Sequence, residues 1–323
     1  MKRVLSILGL FLFVCGLSSG VPTTHAQTYP DRPIQLVIPV PPGVVLDITG
    51  RLVAEELTKI LKTQVVVLNK PGASMVLGTD QVARSKKDGY TIAYTNTSAI
   101  VYSRVTNPQT VPYDPLKDLE PLGLHLFFPL TLSVQLGSPW KTFGELIDYA
   151  KNNPGKLRVT TPGQGTVDHF NLEIIQSLTG AQFTHIPMKG EQVIAALLGG
   201  HVEVVSDALS KLMPHLDSGK LRILLITKKM AGFPDIPTIS ELGYKQDLFS
   251  AWAGFFAPAG IPSEVKRTLV PAIEKAISNQ ASKEKINKMG FSVDYKSPEE
   301  LRNLSIEYYE RASAVAKRLG IVK

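Results

Sequence analysis

The segment that most constrains the fold is a strand, a loop and a helix that follow one another between residues 34 and 61. The apolar run at residues 34–40 predicts a strand, and residues 48–61 have the periodicity of a helix. The loop between them reads Pro39-Val40-Pro41-Pro42-Gly43-Val44-Val45-Leu46-Asp47, and its prolines end the strand because they lack the N–H that a sheet requires. Asp47 can cap the helix through its carboxylate. The unpaired N–H groups at the helix N-terminus suit an anion such as a carboxylate.

The same alternation of strand and helix continues along the chain and predicts an α/β fold with parallel sheets. Strands are predicted at residues 65–68 and 90–94, with a helix at residues 76–85 between them. After a long apolar stretch at residues 122–134 the alternation begins again. Its elements are helices at residues 142–152, 169–178 and 191–198 and strands at residues 156–160, 183–187, 202–205 and 221–226.

The order of these elements predicts two α/β domains, with a hinge that the chain crosses twice. Residues 249–257 form an apolar strand that we expect to lead back to the first domain. The tail at residues 264–320 is mostly helical and has too few strands to form a domain of its own. We therefore assign residues 27–126 and 252–323 to the first domain and residues 127–251 to the second.

Side chains at several predicted helix ends are typical of helix caps. Thr142 is followed three residues later by Glu145, and Ser297 is followed in the same way by Glu300. Both pairs predict a capping box at the start of a helix. Gly180 is expected to end the helix that precedes it, since glycine adopts the left-handed conformation at little cost.

The first residues have the composition of a secretory signal peptide. Basic Lys2 and Arg3 precede an apolar run at residues 4–14, and Thr24-His25-Ala26 offers a cleavage point after Ala26. A membrane anchor is the alternative, but the run is shorter than the ~20 residues that a membrane span needs. The only cysteine, Cys15, lies in this segment, so a cleaved protein has no thiol for a disulfide, a nucleophile or a metal site. We expect a periplasmic protein.

The charge of the chain is mildly basic, with a formal net charge of +7 over 323 residues. Lysines and arginines are spread out, and the densest groups are Lys86-Lys87 and Lys228-Lys229. Aromatic residues are not interleaved with them, which argues against a nucleic-acid surface. The charge gives at most a weak long-range attraction for anions, and a solvated surface explains it equally well.

A second loop has the same design as the first. The strand at residues 156–160 leads into Thr161-Pro162-Gly163-Gln164-Gly165-Thr166-Val167-Asp168, and a helix follows. Such loops also join strands to helices in α/β proteins without any ligand role. In open parallel sheets, however, ligands lie beyond the carboxyl ends of the strands. If each loop belongs to a different domain, two helix N-termini can face one cleft and together favour an anion.

Motifs for catalysis and cofactor binding are absent from the sequence. The segment Gly163-Gln164-Gly165-Thr166-Val167-Asp168 matches a dinucleotide fingerprint only in part, because an acidic residue replaces the third glycine. There is no phosphate-binding P-loop and no Gly-x-Ser-x-Gly elbow. The histidines outside the signal segment are isolated and lack metal-ligand spacing, and Asp168-His169 has no nucleophile elbow beside it. We therefore predict no enzyme activity, no cofactor and no metal site.

Three further positions have both a structural and a ligand-binding interpretation. Asp207 follows a strand and can reach the cleft or cap the next helix, and capping is the more common role. Thr97 belongs to the loop Thr95-Asn96-Thr97-Ser98, which supplies hydroxyl and amide groups for a ligand or for a turn. Trp252 lies on the returning strand and can form a wall of the cleft or part of the core, and the core is the more common place.

Motifs spread along the mature chain resemble those of one receptor family. They are Tyr29-Pro30-Asp31-Arg32-Pro33-Ile34, Pro39-Val40-Pro41-Pro42-Gly43, Asn69-Lys70-Pro71-Gly72-Ala73, Asp88-Gly89-Tyr90-Thr91, Pro112-Tyr113-Asp114-Pro115-Leu116-Lys117-Asp118, Lys189-Gly190, Leu198-Gly199-Gly200, Gly219-Lys220-Leu221-Arg222, Pro234-Asp235-Ile236-Pro237-Thr238 and Phe256-Ala257-Pro258-Ala259-Gly260. The chain resembles the solute-binding proteins of tripartite tricarboxylate transporters, also called the Bordetella uptake gene (Bug) family. The resemblance implies a type II periplasmic-binding-protein fold, a Venus flytrap of two α/β domains that closes on a small carboxylate. It also implies a monomer that delivers the solute to membrane permease subunits without catalysis.

The departures from the family pattern fall at the loops that the resemblance implies for the ligand. Glycine and small hydroxyl residues are usual where this chain has Val44, Val45 and Leu46. A Gly-Gly-Asn type of segment is usual where it has Ser74-Met75-Val76, and serine or threonine where it has Val167 and Asp168. An aromatic residue often stands at the position of Met188.

The ligand hypothesis follows from these exchanges. Backbone N–H groups survive a change of side chain, so a carboxylate can still be held, while the rest of the ligand meets a more apolar wall. The candidate ligand-binding residues are Pro42, Gly43, Val44, Val45, Leu46, Asp47, Ser74, Met75, Thr97, Gly163, Thr166, Val167, Asp168, Met188 and Asp207.

We thus expect a solute with one carboxylate and an apolar or aromatic body. Asp168, if it faces the cleft, favours an amine or a protonated partner instead. The alternative is a protein that keeps the fold without transport. It would be a sensor subunit, or a receptor whose cleft is filled by Val44, Leu46 and Met75.

Overall fold

The computed structural model describes residues 29–189 and 192–321, and the predicted signal peptide lies outside the described residues. The strands are β1 (Ile34–Ile38), β2 (Val65–Asn69), β3 (Thr91–Asn96), β4 (Leu119–Phe128), β5 (Leu130–Gln135), β6 (Arg158–Thr161), β7 (Thr184–Pro187), β8 (Val204–Ala208), β9 (Leu221–Ile226), β10 (Ala251–Pro258) and β11 (Ser292–Lys296). The helices are α1 (Val45–Leu61), α2 (Val76–Ala83), α3 (Ser103–Thr106), α4 (Phe143–Asn152), α5 (Val167–Thr179), α6 (Gln192–Leu198), α7 (Leu209–Asp217), α8 (Ser263–Ile277), α9 (Gln280–Lys288) and α10 (Pro298–Arg318).

Two sheets with covering helices form two domains, which confirms the predicted fold class. The first sheet has the strand order β2-β1-β3-β10-β4-β11 and the second has the order β7-β6-β8-β5-β9. In the first, β1 is parallel to β2 and β3, and β10 is antiparallel to β3 and β4. In the second, β6 is parallel to β7 and β8, and β5 is antiparallel to β8 and β9. The two sheets therefore repeat one plan, although the sequence shows no repeat by identity.

The chain crosses between the sheets twice. It leaves the first sheet at Pro129, which separates β4 from β5 because proline cannot donate to either ladder. It returns through residues 227–250, and β10 then enters the first sheet between β3 and β4. In each sheet, the inner strand that runs antiparallel to its neighbours lies next to a crossing. This strand is β10 in the first sheet and β5 in the second.

The C-terminal helix α10 packs on both domains. One buried apolar cluster includes Tyr308 and Ala312 of α10, Phe170 of α5 and Trp252 of β10. Trp252 is fully buried, so it belongs to the core. The tail is mostly helical, as predicted, and its one described strand, β11, pairs with β4 at the edge of the first sheet.

Local cap signals identify helix starts correctly where side chains make the bonds. Both predicted capping boxes are confirmed, with Glu145 N–H donating to Thr142 Oγ1 at 3.2 Å and Glu300 N–H donating to Ser297 Oγ at 3.3 Å. Gly180 ends α5 with a φ of +76°, as expected for a left-handed cap.

The start of α1 differs from the sequence prediction. The helix begins at Val45, and Val44 takes the extended cap conformation without a side-chain hydrogen bond. Gly43 turns the chain with a φ of +84°, which lets the helix begin directly after the turn. Asp47 therefore lies inside the first turn of α1 and does not occupy the cap position.

Candidate functional site

A cleft of about 480 Å³ separates the two domains at the carboxyl ends of their parallel strands. Residues of both domains and of both crossings line it. They are Ser74, Asn96, Ser98, Tyr102, Ser103, Thr106 and Asn107 from the first domain, Phe128, Leu130 and Ala251 from the crossings, and Pro162, Gln164, Gly165, Thr166, Val167, Asp168, Asp207, Ala208 and Lys211 from the second. This is the position at which open α/β sheets bind ligands.

A larger cavity of about 630 Å³ lies between α10 and residues 227–250, beside the ends of β4 and β9. The basic side chains that line it are already paired with acids. Lys228 Nζ lies 2.7 Å from Asp294 Oδ2, Lys229 Nζ lies 3.1 Å from Glu241 Oε1, and Arg311 pairs with a glutamate on its own helix. Because these pairs satisfy one another, the interdomain cleft is the better candidate site.

The loop between β6 and α5 forms the second-domain wall of the cleft. Thr166 is the helix N-cap, and its Oγ1 donates to Gly163 O at 2.7 Å and accepts from His169 N–H at 3.4 Å. Val167 and Asp168 are the first residues of α5, and both line the cleft. Their N–H groups belong to the first turn, where a helix has no internal acceptors and attracts negative charge.

A pair of neutral histidines fixes the shape of this loop. The rings of His169 and His185 stack with their centroids 4.4 Å apart, and Gly165 N–H donates to His169 Nδ1 at 3.0 Å. Burial, followed by the neighbouring His169, lowers the pKa of His185 to about 4, and burial also lowers the pKa of His169. His185 Nε2 lies 2.7 Å from Thr161 Oγ1. The prediction that the histidines are isolated is wrong for these two, because β6 and β7 are neighbours and bring them together.

Asp168 and Asp207 place two carboxyl groups beside each other in the cleft. Ser206 Oγ donates to Asp168 Oδ1 at 3.0 Å, and burial, with Asp207 next, raises the pKa of Asp168 to about 7. Lys211 Nζ lies 2.9 and 3.0 Å from the two oxygens of Asp207, which also accepts from Ala208 N–H at 2.7 Å. Asp207 does not cap α7, whose N-cap is Ala208.

The first domain contributes a polar wall from the loops after β2 and β3. Ser74 lines the cleft, within a run in which Ala73, Ser74 and Met75 have φ values of 46°, 53° and 74°. This conformation is strained for residues with a side chain, and glycine adopts it at lower cost. Thr97 is fully buried, and its Oγ1 accepts from Trp252 N–H at 3.4 Å, so its neighbours reach the cleft and Thr97 does not.

The first loop, from Pro42 to Asp47, does not line this cleft. Asp47 Oδ2 accepts from Gly43 N–H at 2.8 Å and from Arg51 Nε at 2.9 Å, and Asn69 Nδ2 donates to Oδ1 at 2.8 Å. Although burial opposes its ionisation, these hydrogen bonds keep the pKa of Asp47 below its ordinary value. Pro42, Gly43 and Val44 are exposed, Val45 is half-buried and Leu46 is buried in the core of the first domain.

The remaining candidates lie beside the cleft. Met75 packs against the core of the first domain, and Met188 packs against a cluster that contains α6. Gly163 shapes the second loop with a φ of +150° but does not line the cavity. Thus Ser74, Thr166, Val167, Asp168 and Asp207 are the predicted residues that the structure brings together.

Sequence reasoning missed several lining residues. Tyr102, Ser103, Thr106 and Asn107 follow the predicted loop after β3, and Lys211 lies one turn after Asp207. Phe128 and Leu130 line the cleft because they flank the first crossing. The cluster of hydroxyl and amide residues just beyond Ser98 is the signal that could have identified the first group.

Comparison with known proteins identifies the family. The profile described as tripartite tricarboxylate transporter family receptor matches residues 49–321, which is most of the chain. The chain is 32% identical to Protein BugT of Bordetella pertussis over 99% of this chain and 98% of BugT. The chain belongs to the tripartite tricarboxylate transporter receptor family.

Solved structures agree with this assignment. A TctC solute-binding protein from Polaromonas superposes on the receptor with a TM-score of 0.82 at 26% identity, over 90% of this chain and 100% of that one. The R. palustris protein Rpa4515, solved with adipate, has a TM-score of 0.72 at 27% identity, over 90% of this chain and 98% of that one. The receptor therefore has the fold of periplasmic solute-binding proteins.

The described part of the receptor gives two further observations. Across residues 29–189 and 192–321, no helix is long and apolar enough to cross a membrane. In the same residues, no group of three or more histidine, cysteine or acidic side chains is placed to hold a metal ion.

Proposed function

We propose that the receptor captures a small carboxylate with an apolar or aromatic body in the interdomain cleft and delivers it to membrane permease subunits. The observation that carries this proposal is the start of α5 in the cleft wall. Val167 and Asp168 line the cleft at the helix N-terminus, where N–H groups lack internal acceptors. A carboxylate accepts hydrogen bonds from such groups without a buried arginine.

The cleft also has apolar surface for the body of the solute. Tyr102, Phe128 and Leu130 line the cleft, and Val167 lines it at the start of α5. The volume of about 480 Å³ is within the range of small-molecule sites. Of the residues exchanged relative to the family, Val167 is the one whose apolar side chain lines the cavity.

Delivery to a permease rests on family membership. Rpa4515 was solved with adipate, a flexible dicarboxylate, so related clefts accept an extended acid. By analogy, the two domains close over the solute, and the closed form is presented to the membrane subunits. The receptor acts as a monomeric binding protein and performs no chemical step on the solute.

The alternative of a degenerate receptor has less support. It requires Val44, Leu46 and Met75 to fill the cleft, but none of the three lines it. Leu46 is 5% exposed and packs in the core of the first domain. The cleft is open and its polar groups face the cavity, which favours solute binding over a filled site.

A thermal-shift screen of the purified receptor tests the proposal. The panel contains aliphatic and aromatic monocarboxylates, adipate, succinate and citrate, each with and without an amine where one is available. We expect stabilisation by acids that have an apolar or aromatic body. Stabilisation by citrate and succinate alone would show that the apolar-body assignment is wrong, and no shift with any acid would contradict carboxylate binding.

A further inference from the structure

The second domain brings two acidic residues and one basic residue to the cleft, and the basic residue pairs directly with Asp207. Lys211 Nζ contacts both oxygens of Asp207, at 2.9 and 3.0 Å. Asp168 is 5% exposed, and its side-chain partner among the described residues is the neutral hydroxyl of Ser206. Asp168 is thus a buried carboxyl group at the cleft surface whose direct partner carries no positive charge.

A second buried polar group, on the first-domain side of the cleft, has no hydrogen-bond partner among the described residues. Tyr102 lines the same cleft from the first domain and is 5% exposed. Its hydroxyl makes no hydrogen bond within the described residues. Burial is the main reason why the pKa of Tyr102 is well above its ordinary value, and Asp168 is among the groups that raise it further. A buried hydroxyl without a partner costs free energy, so Tyr102 brings an unsatisfied polar atom to the residues around the cleft.

The position of Asp168 restricts which carboxylates fit. A carboxylate held by the first turn of α5 lies next to Asp168, which directly follows Val167. An ionised Asp168, with Asp207 nearby, repels an acid that has no positive group. A protonated amine beside the ligand carboxylate removes this repulsion and forms a charge-assisted hydrogen bond with Asp168.

We propose that the solute is a zwitterion, with an amine next to its carboxylate and an apolar or aromatic side chain, and that Asp168 selects it by pairing with the amine. The inference rests on the proposed function, because it specifies the solute held in the same cleft. α-Amino acids have both groups on one carbon, which matches the adjacency of Val167 and Asp168 at the start of α5. Asp207 adds negative potential, while Lys211 limits it.

Ionisation of Asp168 should make the affinities for zwitterions and for plain carboxylates change with pH in opposite directions. With a pKa of about 7, Asp168 is mostly protonated below neutrality and mostly ionised above it. The charged groups that face it are Asp207 and Lys211, with the neutral Ser206 and Tyr102 hydroxyls beside them. A zwitterion therefore binds more tightly as the pH rises through the pKa, whereas a plain carboxylate binds more weakly.

Calorimetric titration with matched ligand pairs tests the proposal. The pairs are L-phenylalanine with 3-phenylpropanoate and L-leucine with 4-methylpentanoate, which differ only in the amine. Each is titrated at about pH 6 and about pH 8 into the wild type, into Asp168→Asn and into Asp148→Asn. Asp148 is an exposed acid on α4 of the same domain, so its variant controls for the change in net charge.

We expect at least one amino acid to bind the wild type about tenfold or more tightly than its amine-free partner at the higher pH, as for a charge-assisted pair. Asp168→Asn removes that preference and its pH dependence, while Asp148→Asn retains both. Equal or tighter binding of the amine-free acids overturns the zwitterion proposal and leaves the receptor function intact. If neither member of any pair binds, the proposal is wrong, and failure of adipate and citrate as well contradicts carboxylate binding itself.

Discussion

The loops after β1 and β6 occupy the same place in the two sheets, but they shift the pKa of an aspartate in opposite directions. Asp47 in the first receives three donors from its own domain, and its pKa lies below the ordinary value. Asp168 in the second receives one hydroxyl, and its pKa rises to about 7. A strand, a Pro/Gly loop and a helix therefore do not by themselves define a ligand site. The difference lies in whether the domain satisfies the acid internally.

The largest expected effect comes from Asp47→Asn. The amide leaves one acceptor for three donors and turns its own NH₂ towards Arg51, so we expect a loss of about 3 kcal/mol of unfolding free energy at neutral pH. Because the pKa of Asp47 is lowered, its stabilisation exists above the ordinary carboxyl pKa and is lost as the pH falls through the folded value. Urea unfolding at pH 7 and in acid measures both. An unchanged midpoint at pH 7 would contradict the internal role of Asp47.

The matching substitution in the second loop, Asp168→Asn, should change the free energy of unfolding in the opposite direction. A raised folded pKa means that the stability associated with protonated Asp168 is present at acidic pH and is lost as the pH rises towards about 7. Asp168→Asn imitates the protonated form, so we expect a gain of about 2 kcal/mol near pH 8 that disappears near pH 4. Urea unfolding across this pH range measures it. A loss of stability near pH 8 would show that the folded receptor compensates the ionised Asp168.

The smallest effects come from the caps of the two helices. Thr166→Ala removes the side-chain cap of α5 and should cost about 1 kcal/mol. Val44→Ser offers a cap that α1 lacks and should add about 0.5 kcal/mol. Thermal unfolding of both variants compares the loops directly. A stabilising Thr166→Ala, or a strongly destabilising Val44→Ser, would mean that side-chain capping does not distinguish the two loops.

Much of the fold could be predicted because its signals are local. The segments that became β1, β2, β3 and β6 are short and rich in apolar or β-branched residues. The capping boxes at Thr142 and Ser297 depend on residues three positions apart. β11 was missed because its five residues, Ser292–Lys296, lie between helices. They pair with β4, which is far away in the sequence. A short strand at a sheet edge has a weak local signal.

The candidate site was harder to predict because it depends on pairs of distant residues. His185 lies opposite Val159 in the β6–β7 register, on the face that also presents Thr161, and this brings its ring to His169. Asp168 was named as a candidate from the sequence and lines the cleft, but its electrostatic surroundings depend on the pairing of Lys211 with Asp207. In the first loop, Leu46 was named as a ligand-binding candidate, but its side chain is buried in the core of the first domain.

The placement of β10 between β3 and β4 has a consequence for the order in which the receptor acquires its structure. The second sheet is assembled from one continuous stretch of chain, from β5 to β9. The first sheet lacks an inner strand until the chain has been made past residue 258. As the polypeptide emerges from its amino end, the second domain can fold before the first sheet is complete. Until β10 is available, β3 and β4 lack their common neighbour. A polypeptide that ends before β10 would expose β3 and β4 as unpaired edges, which are sites of aggregation.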